Sequence, residues 1–519
     1  MANSTSDTLF ELITTLSKTE KRFFKLHAGR HTIGEDNNSL QLFDYISKQK
    51  TYDEKKLFKD FEGKNFLNKF SIAKYRLYHQ ILDSLNLFYA KSSIDVELTN
   101  SIQSANILFE KGLYNQSKKL LDSVIKKAEK YHLNQIRLQA LQAKKQYYEQ
   151  HFYTTKSAEE FFEMAQEEKD LAEIIAKKSE LWYLKTELFK KIHSIGIIRS
   201  NDDVKILTKI VRPVLGNKIE AGSIENKYLV HQILSAYYFA IHDSENCFRN
   251  LAEIEKLSTQ NDVLFKKDKG KYLSLLTNLS YTCIKLRKFE KANHYLETIE
   301  SLQKEYTQSR DLKVKYFSSY YSLKLFNCIE NDTNCDGKDI IEVIEKGLSE
   351  YNKDINPIRK AYFYFQLGVY YLAHNNYKQA LVSINNVIND KQNLAKEDIF
   401  SFAQILQLII HFELKNYRYL PYVLTSTKRF LKYKNRLYQF ESVFLKIISK
   451  IKSATITEFE LEDILLEFAP EIEKFKDDKF ERIAFEYFDF GAWLSSKIKR
   501  KSYLEIKKHL LKNRCFHFL

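Results

Sequence analysis

The residues able to do chemistry in this 519-residue chain are scattered, and few stand at spacings that chemistry uses. His27 and His31 are four apart, the spacing that brings two imidazoles to one helix face for a metal, but Gly29 between them is expected to end that helix. Cys328 and Cys335 bracket the turn ENDTNCDG, whose Asp332 and Asp336 are cation ligands by type. The ligand order of a calcium loop is missing there, so a solvated hairpin tip is expected. The sequence has no GxxxxGK[ST] phosphate loop, no GxGxxG, no HExxH and no GxSxG elbow. With 12 glycines in all, a backbone cradle for phosphate is difficult to build. The expectation is a non-catalytic protein with no metal and no cofactor.

One basic constellation stands out near the N-terminus: Lys64, Lys69, Lys74, Arg76 and His79. Its placement depends on the helices around it. Ser17-Lys18-Thr19-Glu20 reads as a capping box, so a helix should start there and run through KRFFKLHA, with a loop after it from 29 to 38. Further helices are expected over 40–48 and 53–61, and a long one over 71–90 carries Lys74, Arg76 and His79, with Gly63 marking the turn before it. A short second helix and a longer third are the outline of a helix-turn-helix, in which those cations would meet phosphates and base edges. The 62–70 turn is longer than that motif uses. Two readings therefore stand for residues 1–92: a DNA-binding region, or a helical cap on the repeats C-terminal to it.

The wider composition narrows the fold class. Apolar residues make up 44% and aromatics 14%, enough to offset the entropy of ordering and to argue against disorder. Four prolines and 12 glycines are too few for the turns of an all-β fold, which points to helices joined by short polar loops. The excess of 82 Lys plus Arg over 67 Asp plus Glu draws anions only where it is clustered, and most of it reads as dispersed. Five cysteines without a CxxC pair suit reduced thiols in the cytoplasm. The N-terminus has no basic start followed by an apolar run, so no secretory leader is expected. No window is apolar enough for a membrane span.

Internal repetition is the strongest signal. YFQLGVYYLAHNNYKQALVSINNV places Leu367, Gly368, Tyr371, Tyr377, Ala380, Ile384 and Val387 so that small residues on two successive helices let them approach. The same template falls on Leu276, Leu279, Ser280, Cys283, Phe289, Ala292, Leu296 and Ile299, and again on Ala105, Leu108, Tyr114, Ser117, Leu121 and Val124. These segments resemble tetratricopeptide repeats, with units about 40 to 45 residues apart instead of roughly 34. The resemblance implies an all-α, TPR-like solenoid of antiparallel hairpins over residues 93–454. Its concave face would be lined by the first helix of each pair and would take a protein or peptide segment. The stretches 130–225 and 305–350 are expected to hold degenerate pairs. Aromatics near first helices, including Trp182, Tyr237, Phe239, Tyr320, Tyr362 and Phe365, divide between interhelix core and that groove.

Residues 455–519 read as C-terminal capping helices, acidic from 458 to 489 and basic after Trp493. The basic helix, with Ile498, Leu504, Leu510 and Leu511 on its other face, either packs on the preceding helices or meets an acidic partner or lipid surface.

Overall fold

A computed structural model of the chain describes residues 5–29, 38–91, 93–216, 222–260, 268–306, 309–331, 337–389, 397–452 and 456–514. Every regular element among them is helical, and no helix is long and apolar enough to cross a membrane. The chain divides into two compact units, Met1–Ile175 and Ala176–Leu519.

The first unit holds α1 (Thr5–Thr15), α2 (Lys18–Gly29), α3 (Asn38–Lys48), α4 (Glu54–Asp60), α5 (Phe70–Phe88), α6 (Ile94–Glu110), α7 (Tyr114–Lys130) and α8 (Asn134–Gln150). The capping box forms as expected: the Ser17 amide donates to Glu20 Oε2 at 2.6 Å, and the Glu20 amide donates to Ser17 Oγ at 3.3 Å. A single 3-10 turn, Asn65–Lys69, fills the connection before α5. Helix α1 was not signalled by the sequence pattern. It is held by Leu9 and Ile13, which are fully buried with Phe24, Phe43, Leu77 and Ile81. Each such side chain contributes roughly 1.5–3 kcal/mol on burial, enough to fix an 11-residue helix that would not persist alone.

Helix α9 (Ala158–Ile195) runs from the first unit into the second. A degenerate hairpin was expected in this stretch, but 38 residues continue as one helix. The cause is visible in the sequence: no Gly or Pro interrupts 158–195.

The second unit continues with α10 (Asn201–Leu215), α11 (Ile224–Ala240), α12 (Ser244–Gln260), α13 (Lys269–Lys285), α14 (Phe289–Ser301), the single turn α15 (Gln303–Tyr306), α16 (Arg310–Asn331), α17 (Lys338–Glu350), α18 (Pro357–Ala373) and α19 (Tyr377–Ile388). After these come α20 (Glu397–Glu413), α21 (Leu420–Tyr433), α22 (Gln439–Ile451), α23 (Glu458–Asp477), a 3-10 segment Glu481–Glu486, α24 (Phe490–Ile498) and α25 (Tyr503–Arg514). Consecutive helices pack as pairs: α11 on α12, α13 on α14, α18 on α19 and α20 on α21. The first members also touch in series, α13 on α16, α16 on α18 and α18 on α20. One core runs from Ala361 on α18 to Ile506 on α25 and takes in Phe402, Phe444, Phe488 and Trp493, so the C-terminal helices share a core with the helices before them.

The pairs close through one turn geometry. At Gly112, His132, His242, Arg287, Asn375, Lys415 and Asn435 the backbone enters the left-handed region, with φ from 53° to 75°. The next amide then donates to the carbonyl five residues back, as from Asp243 to Tyr238, Lys288 to Cys283 and Asn376 to Tyr371. This satisfies carbonyls that the helix end leaves open. Only Gly112 among these seven is the residue type that adopts such a φ freely, so sequence punctuation by glycine was absent where the turns occur.

Candidate functional site

The second unit encloses a cavity of about 1200 Å³. Its walls come from the C-terminal half of α9 and from α11, α13, α16, α18 and α20, one helix from each of five successive neighbours, with the first turn of α12. Their close packing places them there. On α18 a Cβ at Gly368 would lie 2.6 Å from Ile384 Cδ1 and 3.7 Å from the Ala380 carbonyl oxygen of α19, so α18 is drawn onto its partner by the absence of a side chain. On α13, Ser280 Oγ donates to the Ala292 carbonyl of α14 at 3.0 Å.

The remaining wall is the chain's own segment 481–487, which sequence reasoning missed. Tyr487 stacks on Phe402 of α20 at 4.2 Å and meets Phe365 of α18 edge-on. Glu486 lies 3.1 Å from Lys285 of α13 and 4.0 Å from His242. Burial pushes the Glu486 carboxyl up, but Lys285 and His242 outweigh it and hold it below the usual carboxylate range. The same burial lowers the His242 imidazole. The Tyr281 and Tyr362 hydroxyls are hydrogen-bonded to each other on the cavity wall, and burial raises both phenols far above their ordinary range.

Two further ion clusters stand on or beside this wall. Arg199 spans Glu441, at 3.2 Å through both guanidinium Nη atoms, and Glu481, at 2.9 Å, with all three side chains buried. The Phe440 amide also donates to Glu481, and the Arg199 guanidinium lies 4.3 Å over the Tyr438 ring. One guanidinium serving two buried carboxylates leaves Glu441 pushed up to about 7, by burial first and by Glu481 besides. Arg436 meets Asp398 at 3.2 Å and donates to the Ile195 carbonyl, while the Ile197 amide donates to Asp398. Gly196 between them has φ +74°, and a Cβ there would stand 2.6 Å from Arg436 Nη2, so glycine is required on both counts.

Charges elsewhere on the cavity are arranged differently. Arg359 on α18 donates through Nη1 to Ser319 Oγ at 3.0 Å and Ser318 Oγ at 3.3 Å, and no carboxylate meets it among the described residues. It is an exposed residue of the cavity wall, and partial desolvation lowers its pKa. Lys315, which does not line the cavity, donates to the Gly270 carbonyl at 2.7 Å, and Lys185 of α9, which does, lies over the Phe189 ring at 5.9 Å. Burial lowers both lysines, helped by Lys271 at Lys185 and by Arg359 at Lys315. Nothing in the sequence around Lys185, Lys315 or Arg359 marks them.

The residues singled out from the sequence fall into two groups. Gly368, Ala380, Ser280, Ala292, Ala105 and Ser117 are buried between paired helices. Tyr114, Phe289, Tyr371 and Tyr377 are half-buried beside them, Tyr371 donating to Glu345 at 3.2 Å. Of the aromatics assigned to core or groove, Trp182, Phe239, Tyr362 and Phe365 line the cavity. Tyr237 and Tyr320 are core.

The basic set of the first unit does not form one exposed face. Lys69, Arg76 and His79 are exposed and Lys64 is half-buried. Lys74 is 6% exposed, lies 3.0 Å from Glu54 and sits over the Phe70 ring at 4.6 Å. Its charge is spent inside the fold, which corrects the expectation that it would contact nucleic acid. Its position could have been found: Phe70, Lys74, Leu77, Ile81 and Ser84 share one helical stripe, and that stripe is the buried one. His27 lies in the last turn of α2, whereas His31, Asp332 and Cys335 lie outside the described residues. Cys247 and Cys283 are free buried thiols, but Cys328 is disulfide-bonded, which departs from the expectation of reduced cysteines throughout.

No family model and no curated protein matches the chain.

Proposed function

We propose that residues 176–519 are a helical repeat of the tetratricopeptide kind, and that the cavity is a binding trough for an extended segment of a partner protein. The observation that carries this reading is the lining of a cavity of about 1200 Å³ by one helix from each of five neighbours. Small-molecule pockets run to about 1,000 Å³, so this space is at the upper edge of what a small ligand fills and suits a peptide. The chain's own segment 481–487 lends further support. There an acidic and an aromatic side chain, Glu486 and Tyr487, are received by a lysine and two phenylalanines of the same face.

Selection from a random peptide library tests the proposal. Peptides recovered on the wild-type chain should bind Asn278→Trp at least about tenfold more weakly, because Asn278 is exposed on the cavity wall and indole would fill the space. Val382→Trp, at an exposed position of α19 outside the cavity, should bind as the wild type does. The reverse ranking would end the reading.

The alternative of a DNA-binding regulator has less support. Lys74 is internally neutralised, and Ile72 and Tyr75, 47% and 66% exposed, interrupt the cations of α5. Binding to duplex DNA that fell steeply with salt and was lost in Arg76→Glu would revive it.

A further inference from the structure

Large aromatic rings left in water on a concave face mark a contact surface, and the cavity has such a set. On α9 the lining residues Trp182, Lys185, Thr186, Phe189, Lys190 and His193 recur at helical spacing, so they share one stripe. Trp182 is 62% exposed and Phe189 45%, and Phe239 of α11, 55% exposed, lines the same space. From Phe239 the rings continue over successive helices. Its centroid lies 5.9 Å from that of Tyr281 on α13, which stacks on Phe326 of α16 at 5.1 Å. The chain's other tryptophan, Trp493, is buried and donates to Glu413 at 2.7 Å, so the exposed indole is the one on the cavity.

Charge on the wall is one-sided. Its carboxylates are Glu330, Asp398 and Glu486, and each has its cation, in Lys507, Arg436 and Lys285. Lys185, Lys190 and Arg359 line the cavity as well, and none of them meets a carboxylate among the described residues. Lys190 and Arg359 are exposed and Lys185 is half-buried, so water satisfies them and they strain nothing. The charge that bears on Lys185 is a further cation, Lys271, already paired with Asp268 at 3.1 Å. What the stripe presents is a positive field with no internal counter-charge, interleaved with aromatic surface.

We propose that this stripe of α9 is the face that selects the occupant of the trough, and that the occupant is a partner-protein segment bearing carboxylates beside aromatic side chains. The carboxylates would meet Lys185 and Lys190, and the rings would meet Trp182, Phe189 and Phe239. The chain's own Glu486 and Tyr487 are received in that manner, the acid by Lys285 and the ring by Phe402 and Phe365. The proposal rests on the trough reading for the occupant being an extended segment, and adds its chemistry and the face that reads it.

Peptides selected on the full chain from a random library should be richer in Asp or Glu and in aromatic residues than the starting library. Selection on Lys185→Glu with Lys190→Glu should lose the acidic bias, and peptides from the wild-type selection should bind that variant at least about tenfold more weakly. Lys190→Glu alone, at an exposed position, should show a smaller loss and reports even where the double variant folds poorly. Trp182→Ala should weaken the same peptides about tenfold, and in the wild type their binding should move Trp182 emission to shorter wavelength, since Trp493 is already buried. Lys432→Glu with Lys446→Glu, the same change of charge at exposed lysines outside the cavity, should bind as the wild type does. Selected peptides without acidic bias, or acidic peptides bound equally by the α9 variants, overturn the proposal. Binding that is blocked by Asn278→Trp but indifferent to Lys185, Lys190 and Trp182 ends the proposal and keeps the trough. Acidic peptides lost in the α9 variants but unaffected by Asn278→Trp keep the stripe as a docking face and end the trough.

Discussion

On and beside the part of the cavity formed by residues 195–199, 436–441 and 481–487, three cations meet carboxylates: Arg199 meets Glu441 and Glu481, Arg436 meets Asp398, and Lys285 meets Glu486. On α9, α16 and α18 the cations Lys185, Lys315 and Arg359 meet carbonyls, hydroxyls or a ring instead of carboxylates. The first side joins parts of the chain some 200 residues apart, as in the bond from the Ile197 amide to Asp398, and its charges are satisfied internally because they hold the fold. The second joins helices already packed by their cores, so its charges are not needed for closure. One side is thus tied together by ion pairs that the other does without.

Four substitutions press on that contrast, in descending order of effect. Arg199→Ala removes one cation from two buried carboxylates and should cost about 3–5 kcal/mol of stability, read from the urea midpoint at neutral pH. A cost under about 1 kcal/mol would mean that the matched wall does not hold the fold. Gly368→Ala tests how closely α18, which carries Arg359, is bound to α19. The new methyl meets Ile384, and the strain of about 1–3 kcal/mol exceeds the roughly 0.5–1 kcal/mol gained by replacing a helical glycine. Adding Ile384→Val, which trims the atom at 2.6 Å, should recover part of the loss.

Glu441→Gln probes the matched wall through pH. The Glu441 carboxyl is raised above its unfolded value to about 7, so the stability it contributes is fully present below about pH 4.5 and is lost as pH rises through 7. Glutamine keeps a partner for Arg199 without the charge. The variant should therefore gain on the wild type by about 1 kcal/mol between pH 6 and pH 8.5, and parallel midpoints over that range would contradict the assignment. Lys185→Met is the mildest. It removes an unmatched, half-buried cation from the other wall and should leave stability unchanged or raise it by about 0.5 kcal/mol, since water still screens the site. A loss of more than about 1 kcal/mol would show that Lys185 has a structural partner after all.

Local features were readable in the sequence and remote ones were not. The capping box at Ser17 and Glu20 involves two residues three apart, and its helix begins within one residue of the expected start. Gly368 and Ala380 carry their packing role in their size and spacing, as do Ser280 and Ala292. By contrast, the turns at His242, Arg287, Asn375 and Lys415 adopt a left-handed backbone without the glycine that would announce it. The closure by Glu481, Glu486 and Tyr487 depends on Arg199, Lys285 and Phe402, contacts that no local pattern specifies. Lys74 shows the opposite error, in which residue type suggested a surface role and the apolar stripe on which it stands decided otherwise.

The trough itself is best tried by hydrogen exchange with and without a library-selected peptide. Exchange should slow in α11, α13, α16 and α18, on amides of the helices that face the cavity, while α14 and α19 behind them are unchanged. Slowing confined to those second helices, or to residues 1–175, would contradict a peptide-binding trough.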